Sequence, residues 1–126
     1  MLSRLETVER YKSDGGGEVM VKEIYTDYDS VIIANIEHDI KRMRLYCPSL
    51  KFQIFKSSPD KNNYHLRVFN INVPFAIAME MLAASTYADP SYIALVKFKG
   101  TFFIRTSTRI ESDGKVTPPP VLILEG

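Results

Sequence analysis

The sequence predicts an α+β domain: a largely antiparallel sheet with two helices on one face. Three observations carry the prediction. Two β-rich segments, "LKFQIFKSS" (50–58) and "NYHLRVFNI" (63–71), flank the turn-forming "PDKNN". Residues 30–47 repeat apolar side chains at helical spacing. The segment "VPFAIAMEMLAASTYA" (73–88) is rich in alanine and methionine behind a proline that suits a first helical turn. The composition agrees, since 126 residues with 45% hydrophobic and 25% charged side chains match one globular domain and exclude a disordered chain.

Taken in order, "SDGGGE" (13–18) is a flexible break, so residues 1–17 are expected to form an arm or a short helix ahead of a core spanning 18–111. "EVMVKEIYTDYD" (18–29), with its β-branched and aromatic residues, reads as a strand. The helix over 30–47 follows, its stripe formed by Ile32, Ile33, Ile36, Ile40, Met43, Tyr46 and Cys47. Ser30 or Asp29 is placed to cap it, Pro48 ends it, and Glu37, His38, Lys41, Arg42 and Arg44 line its polar face. In the hairpin, alternation puts Leu50, Phe52 and Ile54 on one face and Tyr64, Leu66 and Val68 on the core side, leaving His65 and Arg67 opposite. Phe75, Ile77, Ala78, Met81 and Leu82 pack the second helix. "DPSYIALVKFKGTFFIRTSTRI" (89–110) has a turn at Lys99-Gly100, which makes 92–98 and 101–110 a second hairpin; a short helix from Asp89 to about Leu95 is the alternative. In the tail, 112–126, three prolines suit an extended arm while "VLIL" requires burial, on the protein's own sheet edge or on that of a second copy. This order of elements is that of a ferredoxin-like or RNA-recognition-like core, with the other sheet face open.

Cys47 is the single cysteine, so neither an internal disulfide nor a cysteine-based zinc site is expected. No apolar run reaches bilayer length and "MLSRLETVERYK" lacks a signal core, which points to a cytoplasmic protein with no membrane association. The net charge of +1 conceals a segregation: residues 1–40 carry nine acids against four bases, residues 41–67 seven bases against Asp60 alone, and 90–110 four bases and no acid. If the fold joins the two basic stretches, Lys41, Arg42, Arg44, Lys56, Lys61, Arg67, Arg105 and Arg109 would suit the phosphates of single-stranded nucleic acid. The alternative is a set of separately solvated faces.

Two further groups bear on chemistry. Asp27 and Asp29 emerge on one face if the strand persists through both, and paired carboxylates suit Mg²⁺ or Mn²⁺, which need a third carboxylate or substrate phosphates to fill their shell. Otherwise Asp29 caps the helix and Asp27 sits in a turn. Around His65, "KSSPDKNNYHLR" gathers Ser57, Ser58, Lys61 and Arg67, the hydroxyls and cations that hold a triphosphate.

The order of these motifs resembles the catalytic core of the archaeo-eukaryotic primase, or primase-polymerase, superfamily. There an Asp-x-Asp ending a strand precedes a helix, a strand, a Ser-rich turn and a strand bearing a histidine; here stand "YTDYDS", 30–47, "LKFQIFKSS", "PDKNN" and "YHLRVF". "DPSYIALVKFKGTFFIRTSTR" is similar to the Asp-Pro and Arg-x-Ser-x-Arg segment of plasmid- and virus-borne members. The resemblance implies that Asp27 and Asp29 bind the catalytic metals. It implies that His65, with Ser57, Ser58 and Lys61, contacts the phosphates of an incoming nucleotide, and that Arg105 and Arg109 line its path or the template's. It makes metal-dependent nucleotidyl transfer in DNA replication the expected activity. The chain departs from the family in three ways: no acid stands on a strand after the second helix, since Asp89 precedes it; Asn62 and Asn63 replace turn glycines; and the chain is short. A non-catalytic nucleic-acid-binding or oligomerisation module is the alternative expectation.

Overall fold

At the centre is the hairpin of β4 (Lys51–Lys56) and β5 (Tyr64–Phe69), paired from Lys51↔Phe69 to Lys56↔Tyr64. Its alternation is as the sequence implies, with Phe52, Ile54, Tyr64, Leu66 and Val68 buried and His65 and Arg67 half-buried on the opposite face. The computed structural model describes residues 5–10, 20–105, 109–110, 114, 116–117 and 119–126. Among these, β1 (Leu5–Arg10), β2 (Met20–Val21) and β3 (Ile24–Tyr28) lead to α1 (Ile33–Met43). After the hairpin come β6 (Val73–Pro74), α2 (Phe75–Ala83) and α3 (Pro90–Lys99), then β7 (Thr101–Arg105), β8 (Arg109–Ile110), β9 (Val116–Thr117) and β10 (Val121–Glu125). The main sheet has the order β10-β4-β5-β3, all antiparallel. Two-stranded pairs β1-β7, β2-β6 and β8-β9 complete the described strands, and β7 runs beside β3. The fold is α+β.

The core is one cluster in which Ile36, Ile40 and Met43 of α1, Ala78, Met81 and Leu82 of α2 and Tyr92 and Val96 of α3 meet the inward face of the sheet. Each fully buried aliphatic side chain contributes roughly 1.5–3 kcal/mol. No described helix is long and apolar enough to cross a membrane.

Four expectations change. The long strand over 18–29 is two, β2 and β3, of which β2 pairs with β6 outside the main sheet. The first helix is shorter than 30–47: it begins behind Ile32, an N-cap with no side-chain hydrogen bond, so neither Ser30 nor Asp29 caps it. Ser30 is turned into left-handed backbone (φ 56°), its N–H donating to Asn63 Oδ1 (3.0 Å) while Val31 N–H donates to Asn62 C=O (3.0 Å). The hairpin loop thus holds the two residues ahead of the N-cap, while the N–H of Asn35 in the first turn is met by the C=O of Ile32 (3.0 Å). Residues 90–99 form a helix, the alternative reading, and not the first arm of a hairpin. Asp89 caps it by accepting from Ser91 N–H (2.9 Å), Pro90 opens it, and Gly100 ends it in left-handed backbone (φ 66°). Lys99-Gly100 is therefore a helix terminus, and the described residues carry three helices in place of two. The "SDGGGE" break lies outside the described residues, and Leu5–Arg10 of the expected arm form β1.

The tail settles on the protein's own sheet. β10 pairs with β4 from Val121↔Lys56 to Glu125↔Gln53, with a bulge between Leu122 and Leu124. Phe52 and Gly126 exchange two backbone hydrogen bonds (2.8 and 3.0 Å).

Candidate functional site

Asp27 and His65 are direct cross-strand partners, and Nδ1 of His65 hydrogen-bonds Oδ1 of Asp27. The side chains are 12% (His65) and 32% (Asp27) exposed. This contact leaves Nε2 of His65, which is buried and has no partner. A buried polar atom without a partner is uncommon enough to need an explanation.

Asp29 lies just beyond the end of β3 and is exposed. It faces Asp89, not solvent alone. Partial burial of its carboxyl raises its pKa above the ordinary value; the negative charge of Asp89, a hydrogen bond shared with Asp89 and the charge of Asp27 raise it further, while His65 opposes the rise. Asp89 is brought here by its own backbone: its N–H donates to the C=O of Asp27 (2.8 Å), fixing the start of α3 to the end of β3. Among the described residues no group of three His, Cys, Asp or Glu side chains is arranged to hold a metal ion. The pairs Asp27–His65 and Asp29–Asp89 stand side by side without closing on one point.

Ser57, Ser58 and Lys61 belong to the hairpin loop, which Asn62 and Asn63 pin against Val31 and Ser30, directly after Asp29. Ser58 donates its hydroxyl to Asp60 (2.9 Å), Ser57 N–H donates to Asn63 C=O (2.9 Å), and Lys61 is exposed. Arg67 shares the face of His65 but is engaged elsewhere. Two of its nitrogens, Nε at 2.9 Å, donate to Glu23 Oε1, Nη1 donates to Gln53 Oε1 (2.9 Å), and the guanidinium stacks 4.2 Å from the Phe69 ring centre. Lys41 and Arg42 are exposed in the last turn of α1, roughly 12 Å along the axis from its first residue at 1.5 Å per residue. Arg44 donates to Leu50 C=O (3.3 Å) and lies over Phe52. The structure therefore brings together Asp27, Asp29, His65 and the 57–63 loop, and sets Lys41, Arg42 and Arg44 apart. Arg105 and Arg109 fall on β7 and β8, and their side chains lie outside the described residues.

Two residues of the site escaped the sequence reading of roles. Asp89 was set aside as preceding a strand; its helix-cap position was the signal that it begins a helix. Asp39 is wholly buried, accepting from Tyr28 Oη (3.1 Å), Thr86 N–H (2.9 Å) and Tyr87 N–H (3.0 Å). Burial and the Asp39 charge push the Tyr28 hydroxyl far above the ordinary tyrosine value. The signal was available: Ile36, Asp39, Ile40 and Met43 occupy i, i+3, i+4 and i+7, so Asp39 interrupts the apolar stripe itself. No protein-family model, curated protein or solved structure matches the chain.

Proposed function

We propose that the protein is a primase-like nucleotide- and nucleic-acid-binding protein of DNA replication, acting in the cytoplasm, whose site for a divalent cation and nucleotide phosphates is the end of β3. The observation that carries this reading is the approach of Asp89 to Asp29 beside the Asp27–His65 pair, because it supplies the third carboxylate that the resemblance leaves without a counterpart on a strand. Mg²⁺ and Mn²⁺ are hard cations that take carboxylate oxygens, the donor type these side chains offer, and the two pairs would have to draw together around the ion. Asp29 and Asp89 would hold the ion, with Asp27 beside them. Bound there, such an ion supplies charge neutralisation for the attacking and leaving oxygens of a nucleotidyl transfer. Asp27 orients the imidazole of His65 through Nδ1. The other ring nitrogen, Nε2, would be the one to meet a phosphate oxygen once a bound nucleotide uncovers it. The loop carrying Ser57, Ser58 and Lys61 would flank the phosphates.

Addition of Mn²⁺ should raise the melting temperature of the wild type, and Asp27→Asn with Asp29→Asn should abolish the rise with the fold retained. Absence of any rise in the wild type overturns the metal site. If the ion binds and labelled nucleotide is incorporated on neither a primed nor an unprimed template, the protein is a non-catalytic relative.

A second reading, a non-catalytic interaction or oligomerisation module, is favoured by a different observation. Val121 to Leu124 of β10 are all exposed on a strand whose outer edge has no partner among the described residues. Concentration-dependent elution on gel filtration, lost on removing residues 119–126, would support it.

A further inference from the structure

The site proposed above is built from two limbs of the chain that touch at few points, and both are tied to one buried side chain. One limb is the end of β3, where Tyr28 stands between Asp27 and Asp29 and donates its hydroxyl to Asp39 Oδ2 (3.1 Å). The other is the segment between α2 and α3, whose Thr86 and Tyr87 N–H groups donate to Asp39 Oδ1 (2.9 Å) and Oδ2 (3.0 Å). Two residues further on is Asp89, whose N–H closes the circuit onto Asp27 C=O (2.8 Å). A carboxylate with 0% exposure on the apolar stripe of α1 is costly to bury unless its oxygens are answered, and among the described residues they are answered by the two limbs that form the site and by neighbouring His38. Nothing in the packing of α1 against the sheet requires an acid at this position, since Ile36, Ile40 and Met43 already fill it.

We infer that Asp39 is a positioning residue, a clamp that registers the 85–89 segment against the end of β3 so that the carboxylate of Asp89 is delivered to Asp29. The inference rests on the reading of that site as a cation site. It assigns Asp39 no contact with the ion. Its effect on the ion passes through Asp89, as partners behind a ligand act by fixing the ligand's orientation.

The test combines Mn²⁺ titration, followed by electron paramagnetic resonance of the free ion, with amide hydrogen exchange on the full chain. Asp39→Asn keeps the size of the side chain but removes one acceptor oxygen and the charge. It should weaken Mn²⁺ binding about tenfold, the lower end of what loss of such a supporting partner costs. It should also speed exchange at Thr86, Tyr87 and Asp89 and leave Leu66 and Val68 of β5 unchanged, which a general loss of stability would not do. In the Asp89→Asn background Asp39→Asn should weaken binding no further, because the two act as one unit. Multiplying losses, or unchanged exchange at Asp89, overturn the clamp. If Asp39→Asn does not fold, Tyr28→Phe removes a single donor and decides in its place: faster exchange at Asp89 upholds the inference and unchanged exchange overturns it. If the wild type binds no Mn²⁺, the cation reading fails by itself, and exchange at Asp89 alone decides the role of Asp39.

Discussion

Asp29 and Asp39 stand ten residues apart and obey opposite rules. Asp39 is sealed from water and met by a hydroxyl and two amides, whereas Asp29 is exposed and met by another carboxylate. The difference teaches that burial alone does not mark a charge as unsatisfied. A buried carboxylate whose oxygens are answered belongs to the architecture, and its removal strands the groups that answered it. An exposed carboxylate facing its own kind costs the folded protein something, and what would relieve it is a proton or a cation.

The strongest way to break the comparison is to truncate both. Asp39→Ala leaves the buried Tyr28 hydroxyl and two part-buried amides without an acceptor and should lower the unfolding free energy by about 3 kcal/mol in urea titration, in the range for breaking a buried charged network. Asp29→Ala should cause no loss. A similar fall for both would mean that the two carboxylates do the same work. A smaller effect should appear in pH dependence. Because the folded state raises the Asp29 pKa, it binds the proton more tightly than the unfolded chain does. The stability from this pair is therefore present at acid pH and declines as pH rises from the ordinary carboxylate value through the raised one. Melting temperatures of wild type and Asp29→Asn, compared between about pH 4 and neutrality, should converge at the acid end and favour the variant at neutral pH. The smallest effect is expected for Asp89→Asn. Asparagine caps a helix about as well as aspartate, so stability should shift by less than about 0.5 kcal/mol. The pH slope of Asp29 should flatten, because the neighbouring negative charge that raises its pKa has gone.

Sequence patterning was most informative where one physical effect dominates. The hairpin 51–69 alternates cleanly because one of its faces is buried, and its register follows from that. Helix α1 shows its stripe for the same reason, although it starts later than the apolar pattern does: Ile32 is exposed, and Asn62 and Asn63, some thirty residues on, hold Val31 and Ser30 ahead of the first turn. The segment 90–99 misled because "YIALVKF" mixes β-branched and aromatic residues, as strands do. Its punctuation, Asp89, Pro90 and Gly100, was the truer guide. At the site, the Asp27–His65 approach followed from pairing β3 with β5. The arrival of Asp89 did not, since it depends on a third element crossing to the end of β3 under the hold of a residue on a different helix.

The seating of β10 on β4 bears on how the chain folds. Lys56 meets Val121 and Phe52 bonds Gly126, so the outer edge of β4 is completed by a strand far along the chain. Until that strand docks, the hairpin presents an open ladder beside Phe52 and Phe55, the kind of surface that associates wrongly when concentrated. A pairing between such distant residues also closes late, since the loop entropy must be met before its contacts form. Completion of the sheet therefore waits on this long-range contact, and the prolines at 118–120 immediately ahead of β10 limit the conformations its approach must sample.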